Sequence, residues 1–109
     1  MKKLLVCTLA FLAAGAVTVR AADAKENWTS NCVKCHGAEG KGDTTMGKKL
    51  GIKDYTDAKV QAALKDEEMT KAIKDGVKDG DTTKMKGFGD TLKDDEIKAL
   101  VAYVRGLKK

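Results

Sequence analysis

The 109-residue chain has no proline, a single histidine and few aromatic residues, which make up only 5% of it. A domain this small rarely builds a large apolar core from its side chains alone. The scarcity of aromatic residues therefore favours a bound apolar group at the centre of the fold. Runs of basic residues with interleaved aromatics are also lacking, which argues against a nucleic-acid partner.

The long apolar run of the chain lies at its N-terminus. Residues 1–3 are Met-Lys-Lys, residues 4–19 are almost wholly apolar, and small residues follow Arg20. This order is typical of a secretory signal peptide, and 16 apolar residues are fewer than the ~20 that span a membrane. We predict a cleaved signal over residues 1–21 and export to the periplasm, with an uncleaved N-terminal anchor as the alternative. Loss of the signal lowers the net charge from +5 to +2.

The remaining residues, 22–109, predict one all-α domain of about four to five helices. Helical segments are expected over residues 22–31, 58–64, 66–76 and 92–107, and loops over residues 37–50 and 79–89. Ile97, Leu100, Val101 and Val104 recur at helical spacing in the last segment. Period-two alternation is not found, so no strand is predicted.

The stretch Cys32-Val33-Lys34-Cys35-His36 carries the chemistry. C-x-x-C-H is the pattern of covalent haem attachment, in which the two thiols form thioether bonds to the ring. The spacing of the cysteines puts both sulfurs on one side of a helical turn, and His36 then faces the iron. We expect a carbonyl of the following loop to accept a hydrogen bond from the outer nitrogen of His36.

Three other interpretations of the motif are weaker. A redox-active dithiol would need alternating strands and helices, which the sequence does not predict. A zinc site needs about four nitrogen or sulfur ligands, whereas the predicted mature chain offers Cys32, Cys35 and His36. A structural disulfide would leave His36 without a role.

An iron bound by His36 has a second axial position, for which the predicted mature chain offers three methionines. Met46 is expected on the same side of the ring as His36, and Met69 on the apolar face of a helix. Met85 lies in a loop after two helices that carry the chain around the ring. We predict Met85 as the distal ligand, with Met46 and Met69 as alternatives. A thioether ligand favours reduced iron and raises the potential.

Taken together, the chain resembles the small, soluble, monohaem class I bacterial cytochromes c. The resemblance covers residues 22–109 and rests on Trp28 before C-V-K-C-H-G, G-x-G at 40–42, D-Y-T at 54–56, A-I-K-D-G at 72–76, M-K-G-F at 85–88 and the closing segment at 92–107. It implies a small cytochrome c fold around one haem c attached to Cys32 and Cys35, with His36 as proximal and Met85 as distal ligand.

The same resemblance implies that the first and last helices pack near Trp28, Leu100 and Tyr103. Two departures stand out. Lys86 follows Met85 where the family often has proline, and the loop that should orient His36 also lacks proline.

The expected function is electron transfer rather than enzymatic catalysis. A monomeric periplasmic carrier would shuttle one electron between redox proteins, such as a membrane oxidase or reductase or a soluble dehydrogenase, with no stable membrane insertion after cleavage. Lysines bordering the haem would steer an acidic partner: Lys34, Lys48, Lys49, Lys53, Lys84 and Lys86. The alternatives are a haem subunit of a larger dehydrogenase or oxidase, a five-coordinate haem sensor or enzyme, and a haem-free dithiol oxidoreductase.

Overall fold

A computed structural model describes residues 21–109, and this part of the chain is mostly helical. Its elements are α1 (Ala21–Asn31), α2 (Val33–His36), α3 (Thr45–Leu50), α4 (Ala58–Ala63), α5 (Asp66–Asp75), β1 (Val77–Asp79), β2 (Thr82–Met85) and α6 (Asp94–Gly106). The all-α fold class is confirmed. Apart from Ala21, the predicted signal peptide lies outside the described residues.

Helix α6 forms the wall on which the other long helices pack. Both α1 and α5 contact it, and its Ile97 and Leu100 are each only 1% exposed. Trp28 of α1 is buried as well, and its ring lies 5.5 Å from that of Tyr103, between centroids. The predicted packing of the first helix on the last is therefore confirmed.

The helix ends follow local hydrogen-bonding chemistry. The Asp57 side chain accepts from the Lys59 backbone N–H at the start of α4, as expected of an N-cap carboxylate. Three acidic residues begin α5, at the positive end of the helix dipole. Gly76 ends α5 with φ of 81°, a backbone conformation that residues other than glycine rarely adopt.

The structure has six helices in its described part, more than the four to five predicted, and α3 is one that the sequence did not indicate. Residues 45–50 lie in a segment predicted as loop. The Thr44 hydroxyl accepts from the Gly47 N–H at 2.9 Å and caps α3, and Gly51 ends it with φ of 68°. The loop prediction was wrong here because a six-residue helix containing glycine shows no apolar stripe.

The antiparallel pair β1–β2 also differs from the prediction of a loop over residues 79–89. Val77 is opposite Met85, and Gly80 turns between the strands with φ of 61°. Every residue of the two strands is exposed except Met85, which is half-buried. Because neither face is buried, the sequence has no reason to alternate apolar and polar residues, and periodicity could not detect the strands.

The packing of α6 makes a stability prediction. Replacing Ile97 with alanine removes buried methyl and methylene groups from the core and should lower the free energy of unfolding by about 2–5 kcal/mol. Denaturant titration of the purified protein measures this change. Lys98→Ala, at the next and exposed position of α6, is the control and should cost under about 0.5 kcal/mol. Equal effects of the two substitutions would contradict the assignment of Ile97 to the core.

Candidate functional site

The C-x-x-C-H motif forms a single helical turn. The His36 N–H donates to the Cys32 carbonyl at 2.9 Å, and Cys32 in turn is tied to α1 through its N–H and the Trp28 carbonyl. The Cys32 side chain is buried, that of Cys35 is half-buried, and both thiols are free. The predicted placement of both cysteines and the histidine on one turn therefore holds.

Two adjoining cavities lie beside this turn. The outer cavity has a volume of about 340 Å³ and the inner one about 470 Å³, within the size range of cofactor sites. Six residues line both: Cys32, His36, Lys53, Tyr55, Val77 and Met85. The inner cavity is also bordered by Trp28, Leu100 and Val104 from the core. The described part of the chain thus encloses apolar space next to its only histidine.

His36 lies between two aromatic rings. Its ring centroid is 5.3 Å from that of Tyr55, at an interplanar angle of 23°, and 5.5 Å from that of Trp28. Burial lowers the pKa of His36, so the imidazole is neutral at pH 7, the form that binds metals. The structure thus presents a desolvated, uncharged imidazole at the cavity wall.

The hydrogen bond expected for His36 is not formed by its Nδ1. This atom is buried and has no hydrogen-bond partner in the described part of the chain. The expectation of a loop carbonyl bonded to this nitrogen is therefore not met. The following loop instead contacts the main chain of the histidine: the Gly42 N–H donates to the His36 carbonyl at 2.8 Å.

The three methionines occupy different places. Met46, on α3, is 39% exposed and lines neither cavity. Met69 is buried in the core on α5 and borders the inner cavity. Met85, at the end of β2, lines both cavities together with His36. Two thioethers therefore border the space beside His36, and the third does not.

Gln61 lines neither cavity but holds Tyr55, which lines both, and the sequence gave no reason to single it out. It is a buried polar side chain of α4, and its amide donates to the Tyr55 and Val104 carbonyls at 2.7 Å each. Arg105 donates to the Gln61 carbonyl at 2.6 Å and to its side-chain oxygen at 3.3 Å. Gln61 thus ties the backbone of Tyr55, whose ring stacks on His36, to the end of α6.

The Cys32 thiol is poorly suited to thiol–disulfide exchange. Burial, and to a lesser degree the charge of Cys35, raises the pKa of the Cys32 thiol to about 11. The thiol is then protonated at neutral pH, whereas exchange requires a thiolate. In residues 21–109, no three His, Cys, Asp or Glu side chains are grouped so as to hold a metal ion, which gives the zinc interpretation no support.

Haem fits these residues. The cavities are mostly apolar, two free thiols lie on one turn, the imidazole is neutral, and a thioether borders the same space. A large flat apolar ring would fill the volume that the side chains leave.

Within residues 21–109, no helix combines the length and the apolar character that crossing a membrane requires.

Comparison with known proteins identifies the family. Residues 19–104 match the family model described as "Cytochrome C oxidase, cbb3-type, subunit III". The chain belongs to the class I cytochrome c family. It is similar to the solved structure titled "KustC0563 c-type cytochrome", with 35% identity over 79% of this chain and 98% of that chain and a TM-score of 0.70.

A point mutant of that same protein matches at 35% identity over 79% of this chain and 99% of that chain, with a TM-score of 0.69. The search of curated proteins gave no match. The chain is therefore a small c-type cytochrome, of a family that uses haem c for electron transfer.

The role of Gln61 makes a second prediction. Gln61→Leu leaves the Tyr55 carbonyl without its side-chain donor and should destabilise the protein by about 1–3 kcal/mol. Thermal or denaturant unfolding of the purified protein measures the loss. Lys59→Leu, at an exposed position of the same helix, provides the matched control. A Gln61→Leu protein as stable as the Lys59→Leu protein would show that these hydrogen bonds are energetically neutral.

Proposed function

We propose that the protein is an exported, periplasmic electron carrier with one haem c. Cys32 and Cys35 attach the ring, and His36 and Met85 are the axial ligands of its iron. A single observation carries the proposal: all four of these residues line the outer cavity, although Met85 is far from the motif in sequence. Neither Met46 nor Met69 lines that cavity.

Haem supplies an iron that changes oxidation state by one electron. The protein's residues provide the surroundings in which this change is easy and selective. The turn of α2 presents the two thiols and the imidazole, and the buried side chains of Trp28, Leu100 and Val104 line the inner cavity. With His36 and Met85 both binding it, the iron would offer no open position to a substrate, and the haem would supply electron transfer through its ring edge rather than catalysis.

The partner in this proposal is an acidic redox protein. Lys53, Lys84 and Lys86 border the outer cavity, and they belong to the six lysines that the sequence placed near the haem. The other three, Lys34, Lys48 and Lys49, do not line it. Lysines around the opening of the outer cavity attract an acidic protein surface and orient it toward the edge of the haem ring. Lys84 is 3.5 Å from Asp79, but both side chains are exposed and the pair is weak.

A second candidate is a haem subunit of a larger oxidase. It is favoured by the family model that matches residues 19–104, whose description is that of an oxidase subunit. The two candidates differ in assembly, so isolation from the native host at low ionic strength separates them. A carrier is recovered mainly as a free protein of its own mass, and an oxidase subunit co-purifies in fixed ratio with larger chains.

The axial ligand is tested by replacing methionines one at a time in the haem-loaded protein. Met85→Leu should abolish the weak near-infrared sulfur-to-iron band of the oxidised form, because the thioether leaves the iron. It should also lower the midpoint potential, since the thioether stabilises reduced iron. Visible and near-infrared absorption and a redox titration measure both effects.

Met69→Leu is the matched control for that experiment. It removes the other thioether that borders the inner cavity and keeps the side-chain volume nearly constant, so the band should persist. A band that survives Met85→Leu and disappears in Met69→Leu would assign the ligand to Met69 instead. Loss of colour after denaturation and extraction of the unmodified protein would overturn covalent attachment.

The proposed docking surface, formed by Lys53, Lys84 and Lys86 at the outer cavity, is tested with an anionic oxidant, hexacyanoferrate(III). Changing Lys53, Lys84 and Lys86 together to glutamine should slow oxidation of the reduced protein several-fold at low salt and flatten the salt dependence of the rate. Stopped-flow absorption measures the rate. A control protein with Lys59, Lys71 and Lys98 changed to glutamine has the same net charge. Equal slowing of the two proteins would show an effect of net charge alone.

A further inference from the structure

Thr44 joins the cap of α3 to the haem-attachment motif. Its hydroxyl donates to the Cys35 carbonyl at 2.6 Å and accepts from the Gly47 N–H at 2.9 Å. One side-chain oxygen therefore fixes the beginning of α3 and a peptide group of the motif at the same time. Hydroxyls can fill both roles because they donate one hydrogen bond and accept others.

The Cys35 carbonyl belongs to the peptide group that precedes His36, and the His36 carbonyl belongs to the one that follows it. Thr44 holds the first, and the Gly42 N–H holds the second at 2.8 Å. Both peptide planes that flank the His36 Cα are thus bonded to the segment of residues 42–44. With those planes fixed, the direction of the Cα–Cβ bond of His36 is fixed as well.

Close backbone contact strengthens this arrangement. Gly47 is buried, and a Cβ atom there would lie 2.5 Å from both the Cys35 and the Gly42 carbonyl oxygens. These are main-chain atoms that cannot turn aside as a flexible side chain can. The first turn of α3 is therefore pressed against the back of the motif, and only glycine permits this approach.

We propose that Thr44 is a positioning residue that sets the orientation of the His36 imidazole toward the haem iron. It acts through the Cys35 carbonyl and the α3 cap. In a chain without proline, these hydrogen bonds supply the rigidity of the backbone around the ligand. The inference rests on the proposed ligation of haem iron by His36.

The test uses the haem-loaded protein and proton NMR of its oxidised form. The hyperfine-shifted haem-methyl and His36 resonances report the plane of the axial imidazole. Thr44→Val removes the hydroxyl at similar size and should change the pattern of these resonances, because the Cys35 carbonyl loses the hydrogen bond that holds it. Thr44→Ser keeps the hydroxyl and should restore the pattern. Thr45→Val, at the adjacent exposed position, should leave it unchanged.

A second substitution reaches the same contact from the other side. Gly47→Ala keeps the Thr44 hydroxyl but forces the Cys35 carbonyl and α3 apart, so it should perturb the same set of resonances. Gly106→Ala is its control, since a Cβ atom there meets nothing within 4 Å. If Thr44→Val yields no haem-loaded protein, Gly47→Ala and its control decide the question.

The outcomes separate this inference from the proposed function. An unchanged pattern of resonances in Thr44→Val would overturn the positioning role of Thr44. If Thr44→Val yields no haem-loaded protein, an unchanged pattern in Gly47→Ala would do the same. Neither result would affect the proposed ligation by His36. An unmodified protein whose spectrum shows no histidine ligand refutes the proposed ligation itself. The inference is supported if Thr44→Val and Gly47→Ala both change the pattern and Thr44→Ser shows the pattern of the unmodified protein.

Discussion

The described part of the chain depends on a wall of packed helices beside a buried histidine. Both α1 and α5 pack on α6, where Ile97 and Leu100 are almost fully buried. These helices support the mostly apolar space that His36 borders. A haem of the kind that the family uses would, in this space, complete the core as well as supply the redox centre.

The two sides of the candidate site are built in different ways. On the side of His36, hydrogen bonds from Thr44 and Gly42 and the close approach of Gly47 hold the main chain directly. On the side of Met85, a short antiparallel pair carries the proposed ligand, and its residues are mostly exposed. Gln61 and Arg105 add a third support, since they fix the backbone of Tyr55 against the end of α6.

Much of this architecture was predictable because it follows strong local signals. The C-x-x-C-H motif, the apolar stripe of α6 and the acidic start of α5 are short patterns with definite physical meaning. Helix α3 and the strands were not predictable in the same way, since they bury little and show no periodicity. Gln61 was missed because its role depends on residues 43 and 44 positions away in sequence, which no local pattern records.

The β1–β2 pair is anchored at one end only. At its base, beside Met85, the N–H groups of Phe88 and Gly89 donate to the Ile73 and Lys74 carbonyls at 2.7 and 2.9 Å. Its tip, around Gly80, is exposed, and a Cβ atom there would meet nothing within 4 Å. Insertions and deletions at the tip would therefore leave the base undisturbed. Length differences among related chains should accumulate there, where the hairpin can grow without moving the methionine.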